Sequence, residues 1–268
     1  MQTSQPMENL ITLPQQGEAQ KSAEAETRQN FYVWELPVRL THWVTVICIG
    51  VLTVTGIYIA FPFIGTSGDA VNQFLMGTVR FVHFVTAFVF TVSVLSRIYW
   101  MFVGNVWASW KQFLPLHPAR RRGIRRMFSF YLFLRRKAPG VIGHNALAGV
   151  AYSVVFLLFL IQIATGFALY ALPFGDGFFP TAFGWITLTF GVQPVRVVHD
   201  LIMWLLLAFV VHHVYTAILI DMEERSGLMS SIFSGYKSLT RHQIEEAQAE
   251  ATWTPRHERP RKARRGDD

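Results

Sequence analysis

The sequence predicts an all-α integral membrane protein, a four-helix transmembrane bundle. Three observations carry that reading: four apolar segments of spanning length, basic residues gathered at the ends of those segments, and histidines set within the apolar runs. Of the 268 residues, 51% are hydrophobic and only 15% charged. An average soluble chain carries about 25% charged residues, so this one is short of groups to face water.

The elements follow in order. Residues 1–30 are polar, rich in Gln, Glu, Ala and Ser, and lack the apolar core of a signal peptide. They read as a disordered cytoplasmic leader. Residues 31–240 form the membrane domain, with spans at about 41–63, 79–103, 146–172 and 195–220. Each span has about 20 or more mostly apolar residues, enough at about 1.5 Å per residue to cross roughly 30 Å of hydrocarbon. Between spans two and three, residues 111–136 mix Arg with Phe, Leu, Met and Tyr, the pattern of an amphipathic helix on anionic headgroups. Residues 178–192 (FFPTAFGWITLTFGV) are apolar but too short to span. They lie flat on the outer surface, dock against a partner or form an aromatic interfacial belt. The tail, 241–268, is charged and contains proline, and reads as disordered.

Lysine and arginine counts orient the bundle. The 104–143 loop holds Lys111, Arg120, Arg121, Arg122, Arg125, Arg126, Arg135, Arg136 and Lys137, whereas loops 64–78 and 173–194 hold none. Both termini and the basic loop are therefore expected in the cytoplasm, with the chain multi-pass in a bacterial inner membrane. A net charge of +7 would suit nucleic acid if the basic residues formed an interleaved surface. Their clustering at span ends points to the lipid bilayer as the partner and against nucleic acid. The single cysteine, Cys48, excludes a disulfide framework, a CxxC zinc site and a cysteine-ligated iron–sulfur cluster.

Ionisable groups inside a bilayer are costly and are usually functional. His117, His242 and His257 fall in polar regions, and His144 reads as a cap or interfacial residue before span three. Five histidines remain, in two layers: His83 with His199 towards the outer side, and His42 with His212 or His213 towards the inner side. Helical phase separates the last two. Fourteen residues leave His213 roughly 40° from the direction of His199, and thirteen leave His212 roughly 140° away. His213 is the expected ligand, about 21 Å along the helix from His199.

Two histidines per layer, on different helices, suit the axial positions of a haem. Zinc asks for three or four protein ligands, and no thiolate or carboxylate accompanies either layer. A di-iron bundle needs Glu and ExxH motifs, which are absent. Haem brings its own equatorial ligands and asks only for the axial pair. The metal ligands expected are thus His42, His83, His199 and His213, holding two haem b groups between the helices. Arg39, Arg80 and Arg196 each precede a candidate ligand by three residues, on its helix face and water side, where an arginine fork would meet a haem propionate or simply snorkel. Gly56 and Gly166, in the pairs Thr55-Gly56 and Thr165-Gly166, leave room for a flat ring or for close helix packing. Arg97, within span two, would reach a propionate or a quinone, or snorkel.

The motifs YVWELPVRLTHW (32–43), QFLMGTVRFVHF (73–84), GHNALA (143–148), HDLIMW (199–204), VHHVY (211–215) and SGYKSL (234–239) resemble the b-type cytochrome subunit of membrane-bound nickel–iron uptake hydrogenases. The formate dehydrogenase gamma subunit is more distantly similar. The resemblance implies that the four histidines bind haem and that the chain anchors a periplasmic hydrogenase of large and iron–sulfur small subunits. Electrons from H2 would enter at His83/His199, cross to His42/His213 and reduce a membrane quinone; no H2-activating chemistry is expected on this chain. A cytochrome anchor for another oxidoreductase, such as formate dehydrogenase or a sulfur-compound reductase, is the alternative within the class. A transporter or sensor using histidines as proton relays is the non-redox alternative.

Overall fold

The computed structural model describes residues 28–64, 74–114, 118–132, 134, 143, 145–241 and 243–244. His117, His144, His242 and His257, most of the leader and most of the tail lie outside them. Among the described residues, four helices are long and apolar enough to cross a membrane: α1 (Leu36–Ala60), α2 (Leu75–Val103), α4 (Ala146–Tyr170) and α6 (Val192–Glu224). Between α2 and α4 lies α3 (Pro118–Tyr131), α5 (Phe178–Phe190) joins α4 to α6, and α7 (Leu228–Ser234) follows α6.

Local chemistry sets these bounds. The first span begins at Leu36, earlier than the apolar run suggests, because Pro37 suits the first helical turn, where an N–H has no partner in any case. It stops at Ala60 because Phe61 precedes Pro62, and Phe61 accordingly leaves the helical region (φ −135°, ψ 83°). Asn145 caps α4, its side chain accepting from Ala148 N at 2.7 Å. The fourth span runs to 33 residues, about 50 Å, so its last turns extend beyond a hydrocarbon core.

The expected amphipathic segment 111–136 contains the shorter helix α3, with Met127 buried and Arg121, Arg125 and Arg126 on its exposed face. The helix α5 is bounded by Gly177 and Gly191 at positive φ (103° and 83°), where other residues would be strained. It docks on its own bundle: Phe179 and Phe183 lie 5.2 and 5.3 Å, centre to centre, from Phe167 of α4. Trp185 and Leu188 remain exposed.

In the bundle, α1 lies along α2 and α4 along α6. A buried cluster of Cys48, Phe90, Val94, Val155, Phe159, Ile202 and Leu206 joins all four spans at mid-height. With no hydrophobic drive between helices in lipid, such a cluster holds by close packing.

At one end sits a small collar that the helical reading did not anticipate. Strand β1 (Arg28–Tyr32) pairs antiparallel with β2 (Tyr236–Thr240), Arg28 opposite Thr240 and Tyr32 opposite Tyr236. Strand β1 includes Arg28, Gln29 and Asn30, which fall within the 1–30 segment of the sequence reading. Val33, Trp34, Val38, Ala108, Leu239 and Ile244 form the core beneath. Glu224, at the end of α6, pairs with Lys237 at 3.1 Å, both buried, and accepts from Ser226 Oγ at 3.0 Å. Glu35 accepts from Trp100 Nε1 and from Asn105 N, each at 2.8 Å, tying the start of α1 to the end of α2.

Gly235 turns the chain into β2. Its φ is 89°, its carbonyl accepts from Val33 N (2.8 Å) and Trp34 N (3.1 Å), and a Cβ there would stand 2.7 Å from the Tyr32 ring. Gly235→Ala should destabilise the collar by about 1–3 kcal/mol, seen as a lower unfolding temperature in detergent. Gly50→Ala, where a Cβ meets nothing within 4 Å, should not lower it.

Candidate functional site

The candidate histidines inside the spans lie in two groups, one on either side of the mid-height cluster. In the group away from the collar, His83 of α2 meets the Thr55-Gly56 pair of α1. Thr55 Oγ1 is 2.8 Å from His83 Nδ1, and a Cβ on Gly56 would stand 3.5 Å from His83 Cε1 and 3.7 Å from Met203 Sδ of α6. Met203 lies one turn beyond His199, so α1, α2 and α6 converge there. His199 in turn meets the Thr165-Gly166 pair of α4. Thr165 Oγ1 is 2.9 Å from His199 Nδ1, and a Cβ on Gly166 would stand 3.1 Å from His199 Cε1. The Gln162 amide reaches His199 Nε2 at 3.2 Å. The two glycines therefore make room for the partner helix's imidazole.

In the group near the collar, His42 of α1 and His213 of α6 lie with ring centres 6.5 Å apart. His42 Nδ1 is buried without a hydrogen-bond partner among the described residues. His213 stacks on Phe209 at 5.5 Å, and the Tyr152 hydroxyl is 3.3 Å from its Nδ1. His212 faces outward and is exposed, as the roughly 140° offset from His199 requires. Among the described residues, no three His, Cys, Asp or Glu side chains converge as a bare-metal site.

The arginines divide. Arg80 and Arg196 are exposed, the latter within 3.3 Å of Gln193 Oε1. Arg39 instead donates to the Phe233 carbonyl of α7, and its Nε is buried without a partner among the described residues. Arg97 is buried, with its guanidinium nitrogens 3.4 and 3.5 Å from the Ala108 carbonyl and its charge 5.5 Å from the Phe113 ring centre. Its resting partners belong to the protein.

Two contacts of these groups escape a reading of the sequence. Tyr152 and Gln162 are polar residues in a mostly apolar span; Gln162 shares a face with Thr165 three residues on, and that spacing was the available signal.

The family model for prokaryotic cytochrome b561 matches residues 33–235. The chain belongs to that family. It is 38% identical over 225 residues to the probable Ni/Fe-hydrogenase B-type cytochrome subunit of Azotobacter vinelandii, covering 82% of this chain and 93% of the relative. The probable Ni/Fe-hydrogenase 1 B-type cytochrome subunit of Escherichia coli K12 is 38% identical over 215 residues, 78% and 91% of the two chains. The corresponding Cupriavidus necator subunit is 39% identical over 224 residues, 81% and 90%.

A b-type cytochrome carries haem b, and the polar groups of this cytochrome suit it. Imidazole nitrogens from two different helices would hold such a group, which supplies its own remaining ligands. His42 and His213, on different helices with ring centres 6.5 Å apart, would be one such pair. At His199, Nε2 has the Gln162 amide nitrogen at 3.2 Å, and Gln162 would turn aside for Nε2 to offer its lone pair to iron. Buried His42 Nδ1 and Gln162 Oε1 are polar atoms still lacking partners among the described residues.

The contact distances separate the two glycines. Gly166→Ala, at 3.1 Å from His199, should displace the imidazole and lower haem retention, whereas Gly56→Ala, at 3.5 Å from His83, should be tolerated. Haem content of the purified variants, measured optically against protein, checks this.

Proposed function

We propose that this cytochrome is the membrane subunit of a nickel–iron hydrogenase, receiving electrons from H2 oxidation on the periplasmic side and passing them to the quinone pool. The observation that carries the reading is that four histidines lie on either side of an apolar plug within one four-helix bundle, His42 beside His213 near the collar, and His83 and His199, each against a Thr-Gly pair, at the other end. Two haem b groups, one per pair, supply one-electron chemistry when bound.

The residues divide the work. The four imidazoles ligate. Arg80 and Arg196, exposed three residues from His83 and His199, can reach propionates by charge-assisted hydrogen bonds. Cys48, Phe90, Val155, Phe159, Ile202 and Leu206 keep water out of the space between the pairs. About 21 Å of helix separates His199 from His213, so the two pairs span much of the hydrocarbon. The nine basic residues of the 104–143 loop favour a cytoplasmic collar, with both termini inside, the His83/His199 end towards a periplasmic partner and the other end towards quinone. The names of the relatives support hydrogenase large and small subunits as that partner.

His83→Ala and His199→Ala should each remove one haem and abolish H2-dependent quinone reduction in membranes holding the whole complex. His42→Ala and His213→Ala should also abolish quinone reduction but leave the other haem reducible by H2. Full haem content and full activity in any of the four would exclude that residue as a ligand.

A further inference from the structure

Both histidines at the end away from the collar use the same device, and it has a consequence for redox behaviour. Thr55 Oγ1 lies 2.7 Å from the Val51 carbonyl, and Thr165 Oγ1 lies 2.8 Å from the Ile161 carbonyl. A hydroxyl has one proton, and here the carbonyl four residues back takes it. Each threonine oxygen can then only accept from the imidazole 2.8 or 2.9 Å away. The proton of each ring is therefore on Nδ1, and Nε2 keeps its lone pair. The Gln162 amide, donating to His199 Nε2, agrees with that tautomer.

An acceptor on Nδ1–H does more than orient the ring. It raises the basicity of the opposite nitrogen, and a stronger donor favours ferric over ferrous iron. The collar-side pair is held differently. Among the described residues His42 Nδ1 has no acceptor, and the Tyr152 hydroxyl stands 3.3 Å from His213 Nδ1.

We propose that Thr55 and Thr165 are positioning residues that hold His83 and His199 in the Nδ1–H tautomer and give that end of the bundle the lower reduction potential. Electron flow from His83/His199 towards His42/His213 is then downhill by construction. The inference rests on the two-haem reading and adds a direction to it. The threonines act through the imidazoles and touch no reacting atom.

The test is an optical redox titration of the purified complex with Thr55→Val, Thr165→Val and the corresponding serine variants. The component that His83→Ala removes identifies the haem at this end. In the unaltered protein that component should have the lower midpoint. Either valine variant should raise it and leave the other midpoint in place, and serine should restore it. If a valine variant sheds this haem while its serine counterpart keeps it, with retention differing by about tenfold or more, the hydroxyl is again the cause. Unmoved midpoints in both valine variants would overturn the proposal, as would equal loss of haem from valine and serine variants, which points to packing alone. An unaltered protein with no component sensitive to His83→Ala would instead overturn the two-haem reading beneath it.

Discussion

An imidazole in hydrocarbon carries a donor and an acceptor that no solvent will answer. Much of this bundle is arranged around that constraint. Each histidine away from the collar is met by a hydroxyl from the adjacent helix, Thr55 for His83 and Thr165 for His199, and each hydroxyl is already anchored to its own backbone. The following glycine lets the ring come close enough for that bond. The pairing of α1 with α2 and of α4 with α6 is thus written twice in the same short code, Thr-Gly on the first helix and His on the second. Packing of Phe90 against Phe159, ring centres 5.1 Å apart, joins the two halves between the polar groups.

The collar answers a different need. Apolar spans packed in lipid have little to prevent sliding, because lipid chains are as apolar as the side chains. Glu35, Asn105 and Trp100 tie α1 to the end of α2, while the Glu224–Lys237 pair ties α6 to β2 and, through the sheet, to the residues before α1. A buried ion pair adds little net stability but is costly to break on one side, so it enforces one arrangement. The level of His42 relative to His213, on helices fastened by this collar, follows from it.

The spans, their order and the two levels of histidine were legible in the sequence because hydrocarbon thickness and helical pitch leave few alternatives. Phase placed His213 on the side facing the bundle and His212 outward for the same reason. The strands were not legible: Arg28–Tyr32 and Tyr236–Thr240 are polar five-residue pieces about 200 positions apart, and their pairing depends on a turn at Gly235 and an ion pair from α6. The motif SGYKSL was visible, but its reason, a positive-φ glycine followed by a buried lysine, was not. Helix-face spacing set Arg39 with Arg80 and Arg196, yet a neighbouring α7 carbonyl captures Arg39. Thr55 and Thr165 were visible beside their glycines, while their bond to the opposite histidine required three-dimensional register.

The central claim, that one chain holds two haems on two histidine pairs, is tested most directly by the ratio of haem b to protein in the purified, folded chain. A ratio of two is the expected result. A ratio of one would remove one of the pairs as a haem site, and a folded chain without haem would contradict the cytochrome reading of both.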